Sequence, residues 1–457
     1  MVVVSTDQRE SLLALSDNEF ADLMDRCPSA FATKRIVVGV SGGADSMALT
    51  ILADAWARAR GISMVALTVD HGLRDDASRE ACRVGTWLRS RGVSHWTLRV
   101  SETRPVAGIQ NAARNWRFAA FDSWCRDNDA GPVLLAHTLE DQAETLWLRV
   151  LADSGPDGLA AMGAETSVSG LRIARPLLPV SKHRLIATCR LRGQDWIEDP
   201  SNRDPQFTRV RVRQLADALD QRGLGVAQAS RIVTGMAGAR AAMDRHCAEF
   251  IIENGQIFAV GASWFHGDAF ARLPAIFGDI LISRLVGAIG GGPLPPRRRR
   301  VTGVSAALRS TRSSLTRTLG GCVIARRCDG RVWIYREPSA CAGPVSLVSG
   351  AAVRWDSRFE VHWRGCWPAS LGPLGDDGWC WIKRNDHETS VARGLRGLPH
   401  MARLSIPAIR DLDGSVSVPH FVLRGGVRRA VPEAALVAGF CPDAKWIGPL
   451  IAPMNAG

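Results

Sequence analysis

Residues 36–46 read Ile-Val-Val-Gly-Val-Ser-Gly-Gly-Ala-Asp-Ser. An apolar β-branched run, Ile36 to Val38, is cut off by Ser41-Gly42-Gly43-Ala44-Asp45-Ser46, and a helix-compatible segment, Met47 to Arg60, follows. The order is strand, tight glycine turn, helix. Glycine lets the backbone take up positive φ and approach a ligand closely. The first N–H groups of a helix lack intrahelical partners and sit at the positive end of its dipole, so they bind anions. The first strand is therefore expected to end in a phosphate cradle. A glycine-rich turn with Asp45 or Ser46 as a helix cap is the plain alternative. Two common cradles are excluded: no lysine follows the glycines as in G-x-x-x-x-G-K-[ST], and the spacing is not G-x-G-x-x-G.

Strand-like runs recur outward from this point at 36–40, 64–69, 96–100 and 133–136, separated by helix-like segments at 46–60, 76–91 and 110–127. Strands alternating with helices predict parallel βαβ units in a doubly wound α/β sheet. Ligands in such sheets bind beyond the carboxyl ends of the strands. Polar residues follow directly at three of them: Ser41–Ser46, Asp70-His71-Gly72-Leu73-Arg74 and His137-Thr138-Leu139-Glu140-Asp141. Further on, residues 207–245 look helical and arginine-rich, with Gly223 and Gly225 interrupting. A Gly/Pro/Arg segment from Gly290 to Arg300 reads as an exposed linker or loop. Residues 301–336 read as a helix followed by strands at 322–326 and 331–335, and from about 345 the chain turns to short alternating stretches rich in Trp, Gly and Val. The expected organisation is an α/β domain over 1–215, a mainly helical middle domain over 216–340 and a small α+β or mostly β domain over 345–457.

The 457 residues are 46% hydrophobic and 22% charged, as in a globular protein of two or three domains. The net charge is +12, and Lys34, Lys182, Lys383 and Lys445 are the only lysines. Arginine forks match phosphate geometry, so a polyanionic partner is expected; arginine-preferring codon usage is the competing explanation. The eleven cysteines contain no C-x-x-C, which argues against a zinc ribbon, an iron–sulfur framework or a disulfide scaffold. Asp7, Arg9, Glu10, Asp17 and Glu19 lie among the first apolar residues, so no signal peptide is expected. The most apolar later stretch, Leu273 to Gly292, is broken by Pro274, Asp279 and Arg284, so no membrane span and a cytoplasmic location are expected.

Chemistry-bearing residues cluster in four places. Glu140, Asp141 and Glu144 fall within one and a half helical turns, where carboxylates repel one another unless a cation is near. That suits a metal or an ammonium group, against a plain solvated acidic turn. Leu139, Ala143, Leu146, Trp147 and Val150 form the apolar stripe of the same helix. His71 and Arg74 follow a strand, and Arg114 and Arg117 share a helix face from which they can clamp phosphates; a structural histidine and a surface basic patch are the alternatives. After the turn-forming Asp199–Asp204, Phe207, Arg209, Arg211 and Arg213 concentrate positive charge beside an aromatic ring, as nucleic-acid surfaces do. A salt-bridge hub between domains is the other reading.

SGGADS resembles the SGGxDS signature of the PP-loop ATP pyrophosphatases, which split ATP to AMP and pyrophosphate. In one order follow VDHGLR (69–74), A-R-x-x-R-F (113–118), AHTLEDQAET (136–145), RPLL (175–178) and DPSN with its R-x-R-x-R run (199–213). Together the six elements resemble the tRNA(Ile)-lysidine synthases, strongly over residues 35–215 and in outline beyond. The resemblance implies a PP-loop/HUP-like fold and a ligase. ATP would adenylate the wobble cytidine of the CAU-anticodon tRNA(Ile), and free L-lysine would then displace AMP. It implies ATP binding by Ser41, Gly42, Gly43, Ala44, Asp45, Ser46 and His137, with Asp45 holding Mg2+. It also implies lysine recognition by Asp141 and Glu144, catalytic parts for Asp45, His71, Arg114, Asp141 and Glu144, and tRNA contacts by Arg209, Arg211 and Arg213. Two departures stand out. Glu140 replaces the first Asp of the family's A-H-T-x-D-D-Q, and Ala152-Asp153-Ser154-Gly155 replaces R-G-S-G. A PP-loop tRNA thiolase would want paired cysteines, a non-catalytic tRNA-binding paralogue would want a decayed SGGADS, and a small-molecule amidating ligase would have little use for the basic C-terminal half. Oligomeric state, a homodimer included, is left open.

Overall fold

The computed structural model describes residues 13–72, 77–100, 109–152, 154–168, 171–198, 212, 225–292, 295–311, 313–365, 367–385, 395–418 and 436–442. The chain divides into two compact units, residues 1–240 and 241–457.

The first unit runs α1 (Asp17–Met24), β1 (Arg35–Gly39), α2 (Ala44–Ala59), β2 (Ser63–Asp70), α3 (Ala77–Ser90), β3 (Ser94–Arg99), α4 (Ile109–Asp127), β4 (Val133–Leu134), α5 (Leu139–Leu151), α6 (Pro156–Leu159), β5 (Glu165–Val168), β6 (Leu171–Ala174) and α7 (Lys182–Leu191). Its sheet has the order β3-β2-β1-β4-β6-β5. The first five strands in that order are parallel, and β5 closes the edge antiparallel to β6. The period-2 alternation of strands explains the two layers of helices. Ile36, Val38, Met64 and Ala66 pack on one face with Met47, Leu49, Leu52 and Trp56 of α2. Val37, Val65 and Leu67 pack on the other with Phe118 and Phe121 of α4. A central strand buried on both faces has no polar side, which is why β1 reads as an unbroken apolar run. From β1 the chain winds out to β2 and β3, then returns to β4 on the other side. The crevice of this sheet therefore lies at the carboxyl ends of β1 and β4.

The expected doubly wound parallel sheet is present, with β1 to β3 beginning and ending within two residues of expectation. The β5–β6 hairpin is an addition. Four residues per strand are too few to show a period.

Helix α8 (Val226–Asn254) begins just after Gly225. The second unit continues with β7 (Gly255–Phe258), β8 (Ala262–His266), α9 (Gly267–Arg272), α10 (Ala275–Gly290), α11 (Arg298–Ser310), β9 (Leu315–Leu319), β10 (Cys322–Arg326) and β11 (Arg331–Arg336). Residues 255–336 thus add a five-stranded antiparallel sheet, β7-β8-β11-β10-β9, to the helices expected there. The apolar stretch around α10 is a buried helix whose Arg284 is held by Asp244 at 2.9 Å. Among the described residues no helix is long and apolar enough to cross a membrane. Next come β12 (Val345–Leu347), β13 (Ala352–Trp355), β14 (Phe359–Trp363), β15 (Ala369–Pro373), α12 (Gly375–Asn385), α13 (His400–Leu404), β16 (Pro407–Asp411), β17 (Val416–Ser417) and β18 (Leu436–Phe440). They build two small sheets, β12-β15-β16-β17 and β13-β14-β18.

Candidate active site

The turn after β1 is held from below and open at its end. Gly43 is the N-cap of α2 and brings no side chain to that position. A helix start of this kind presents backbone N–H groups and the positive end of the dipole, which suit an anion. Gly42 has φ +90°, and a Cβ there would stand 2.9 Å from both Ile197 Cδ1 and Val84 Cγ2. The Ile197 N–H donates to the Gly42 carbonyl at 2.8 Å. The buried Ser46 hydroxyl donates to the Gly43 carbonyl at 2.9 Å and accepts the Ser41 N–H at 3.2 Å. Ser41 itself is exposed and Ala44 half-buried.

Two further helices begin beside this turn. Thr138 and Asp141 form a capping box on α5: the Asp141 carboxylate accepts from the Thr138 N–H at 2.8 Å and from its hydroxyl at 3.0 Å. Glu140 caps α7, accepting the Lys182 N–H on both carboxylate oxygens at 3.1 and 3.0 Å. The Leu139 N–H donates to the Val180 carbonyl at 3.0 Å and ties the two helix starts together. Lys182 Nζ lies 4.0 Å from Asp45 and 3.6 Å from Asp141, which puts both acids within reach of one ammonium. Burial by itself would raise the Asp141 carboxyl. The Lys182 ammonium and the Thr138 N–H outweigh it and hold the group below the usual carboxylate range.

The three acids of α5 therefore part company. Asp141 faces Lys182, Glu140 serves α7, and Glu144 is 3% exposed in the helix interior. A solvated acidic turn is excluded. Of the expected apolar stripe, Ala143 and Leu146 are buried, whereas Val150 in the last turn is exposed. Gln142 is buried instead, with its amide bonded to both backbone groups of Met162.

The ends of β2, β4 and β6 and one face of α4 contribute a cationic cluster. Burial and the Arg117 guanidinium lower the pKa of His71. Burial, Arg175, Arg114 and Arg117 push His137 down to about 3 against the pull of Asp141, so the imidazole is neutral. Burial and the neighbouring Arg114 lower Arg175 to about 10. Arg175 is anchored by its Nη1 on the Gly163 carbonyl at 3.1 Å. His71 Nδ1, His137 Nδ1 and Arg175 Nε are buried without a protein hydrogen-bond partner. Such groups are expected to meet a ligand or water. Asp70 is structural: the Ser78 hydroxyl at 2.6 Å and the Gly72 N–H at 3.0 Å hold it ionised.

Ser41–Ser46, His71, Arg114, His137 and Asp141 thus come from the loops after β1, β2 and β4 and from helices α2, α4 and α5 around the same crevice. Arg74, Arg209, Arg211, Arg213 and Asp199–Asp204 lie outside the described residues. Arg175 stands in the RPLL element without a role that the motif gives it, and no pattern in the sequence signals Lys182 or the capping by Glu140. Arg175 follows the unrecognised strand β6, so its position at a strand's carboxyl end was hidden. Among the described residues no three His, Cys, Asp or Glu side chains gather to form a metal cage. Mg2+ commonly takes only one or two carboxylates plus substrate phosphates, and Asp45 beside the turn fits that pattern.

Residues 14–219 match the family described as the PP-loop domain. The chain is 37% identical over 348 residues to a tRNA(Ile)-lysidine synthase of Bradyrhizobium sp. (strain BTAi1), covering 71% of this chain and 96% of the relative. It is 34% identical over 407 residues to the tRNA(Ile)-lysidine synthase of Ruegeria pomeroyi, covering 87% of this chain and 91% of the relative. A relative of the same description from Bradyrhizobium diazoefficiens is 35% identical over 331 residues, 66% of this chain and 90% of its own length.

Proposed function

We propose a division of labour for this chain, which belongs to the tRNA(Ile)-lysidine synthase family of PP-loop proteins. The enzyme uses ATP, and tRNA(Ile) is its substrate. The cytosine C2 oxygen of the CAU wobble base attacks the α-phosphorus of ATP, and the bond to pyrophosphate breaks. The ε-amine of free lysine then attacks C2, the C2–O bond breaks and AMP leaves with that oxygen, giving lysidine. The reaction takes place in the cytoplasm.

The turn Ser41–Ser46 and the start of α2, with Gly43 as its N-cap, receive the phosphates. Asp45 is the residue to hold Mg2+, which when bound neutralises phosphate charge. Arg114, Arg117 and Arg175 set a positive field at the α-phosphate, where charge develops in the first step. Neutral His137 offers a ring nitrogen to the nucleotide or the base, and His71 lies beside the same arginines. Asp141 takes the lysine ammonium. A carboxylate with a depressed pKa is a weak base, so Asp141 orients the ammonium, which gives up a proton to water before the amine attacks. Glu144 supports it from within α5. The Arg209, Arg211 and Arg213 run and the regions 216–340 and 345–457 bind the tRNA.

The observation that carries this reading is the convergence of the glycine-capped start of α2 with Asp45 and Asp141, both within reach of one ammonium, at the ends of β1 and β4. Protein, Mg-ATP, labelled lysine and a CAU-anticodon transcript should give labelled RNA, AMP and pyrophosphate. Label should vanish with Asp45→Ala or when the wobble C is changed. A requirement for a sulfur donor, or RNA binding without AMP formation, would overturn the reading.

A further inference from the structure

Lys182 stands in an unfavourable place. It is the first residue of α7, where the positive end of the helix dipole repels a cation. It is also one of only four lysines among 57 basic residues. Its Nζ keeps 4.0 Å from Asp45 and 3.6 Å from Asp141, beyond the roughly 2.7–2.9 Å of a tight charge-assisted bond. Elsewhere the same chain closes such contacts fully: Arg284 to Asp244 and Arg184 to Glu19 both measure 2.9 Å. An arginine fork would clamp carboxylates in fixed geometry, whereas an ammonium on a flexible stem is a point charge that can leave. With its side chain 32% exposed, Lys182 has room to do so. Its backbone does not move with it, being fixed by Glu140.

An ammonium on a four-carbon stem is also the reactive end of free lysine. The acids that flank Lys182 therefore already accommodate that chemical group. Two ammonium ions cannot share the pair without mutual repulsion. A substrate amine reaches Asp141 only after Lys182 has gone elsewhere. The anion that arrives within its reach is the nucleotide's phosphate tail, bound at the turn that carries Asp45.

We propose that Lys182 stands in for the substrate ammonium in the free protein and moves to the phosphates of ATP, so that Asp141 opens to lysine only after the nucleotide has bound. This rests on the assignment of lysine and ATP to this crevice. Equilibrium dialysis of labelled lysine against the full chain, with and without Mg2+ and the α,β-methylene analogue of ATP, tests it. In the wild type the analogue should tighten lysine at least about fivefold, and lysine should tighten the analogue by the same factor. In Lys182→Met, lysine should bind without nucleotide as tightly as with it, and the analogue should bind more weakly than to the wild type. Lys182→Arg should lower lysine affinity in both conditions, because its fork does not let go. Equal lysine affinity with and without the analogue in the wild type overturns the proposal, as does wild-type coupling in a folded Lys182→Met. If Lys182→Met melts early, the reciprocal wild-type pair and Lys182→Arg decide. Label transfer to the CAU transcript is scored in the same preparations. Transfer without coupling sinks the Lys182 proposal alone, and coupling without transfer sinks the reaction assigned above.

Discussion

At the scale of single residues, the site rests on charges held away from their usual titration ranges. His137 is pushed down to about 3, chiefly by burial. The unfolded chain then binds this proton more readily than the folded one. The folded state is favoured fully above about pH 6.5 and loses stability progressively as pH falls toward 3, by about 1.4 kcal/mol for each pH unit crossed. Melting temperature should drop between pH 7 and 5, and His137→Gln should flatten that acid limb. An unchanged limb would remove His137 from the account. Asp141 carries the second prediction. Asp141→Ala should raise KM for lysine at least about tenfold, or about 1.4 kcal/mol, with a smaller change for ATP. Equal loss of both would count against its role. Ser41–Ser46 were legible because a glycine turn between strand and helix has few uses. The place of Arg175 was not, since an isolated arginine says nothing of its surroundings until the strand before it is recognised.

Elements explain what residue patterns could not. The Gly42 turn requires positive φ and leaves no room for a side chain. Gly42→Ala should cost about 1–3 kcal/mol and abolish nucleotide binding, readable by melting and by analogue titration. The start of α7 depends on Glu140. Glu140→Ala should cost about 1 kcal/mol, as cap losses do, and should loosen the link between nucleotide and lysine affinity. In the sequence Glu140 was only a departure from Asp-Asp. Its partner is 42 residues away, and no local pattern reports a bond between two helix starts. Helices α2, α3 and α4 were readable because each fills the space between two recognised strands.

On the scale of the whole molecule, charge and topology each leave a signature. With a net charge of +12, tRNA affinity should weaken at least about tenfold between 50 and 200 mM salt through counterion release, while KM for ATP changes less. Filter binding and steady-state assays across that range check it. The α/β order of the first unit was legible because parallel strands covered on both faces announce themselves as apolar runs. Strand partners in the second unit were not. Phe359 pairs with Phe440 across most of its C-terminal half, and five-residue strands carry no label for such distant mates. The bond from Ile197 to Gly42 also sets a timetable. While the nascent chain leaves the ribosome, the glycine turn appears early but its brace emerges roughly 10–30 s later at about 5–20 residues/s. Until then the growing polypeptide has the turn without its clasp, and a translation product that stops short of Ile197 is released with an unbraced cradle.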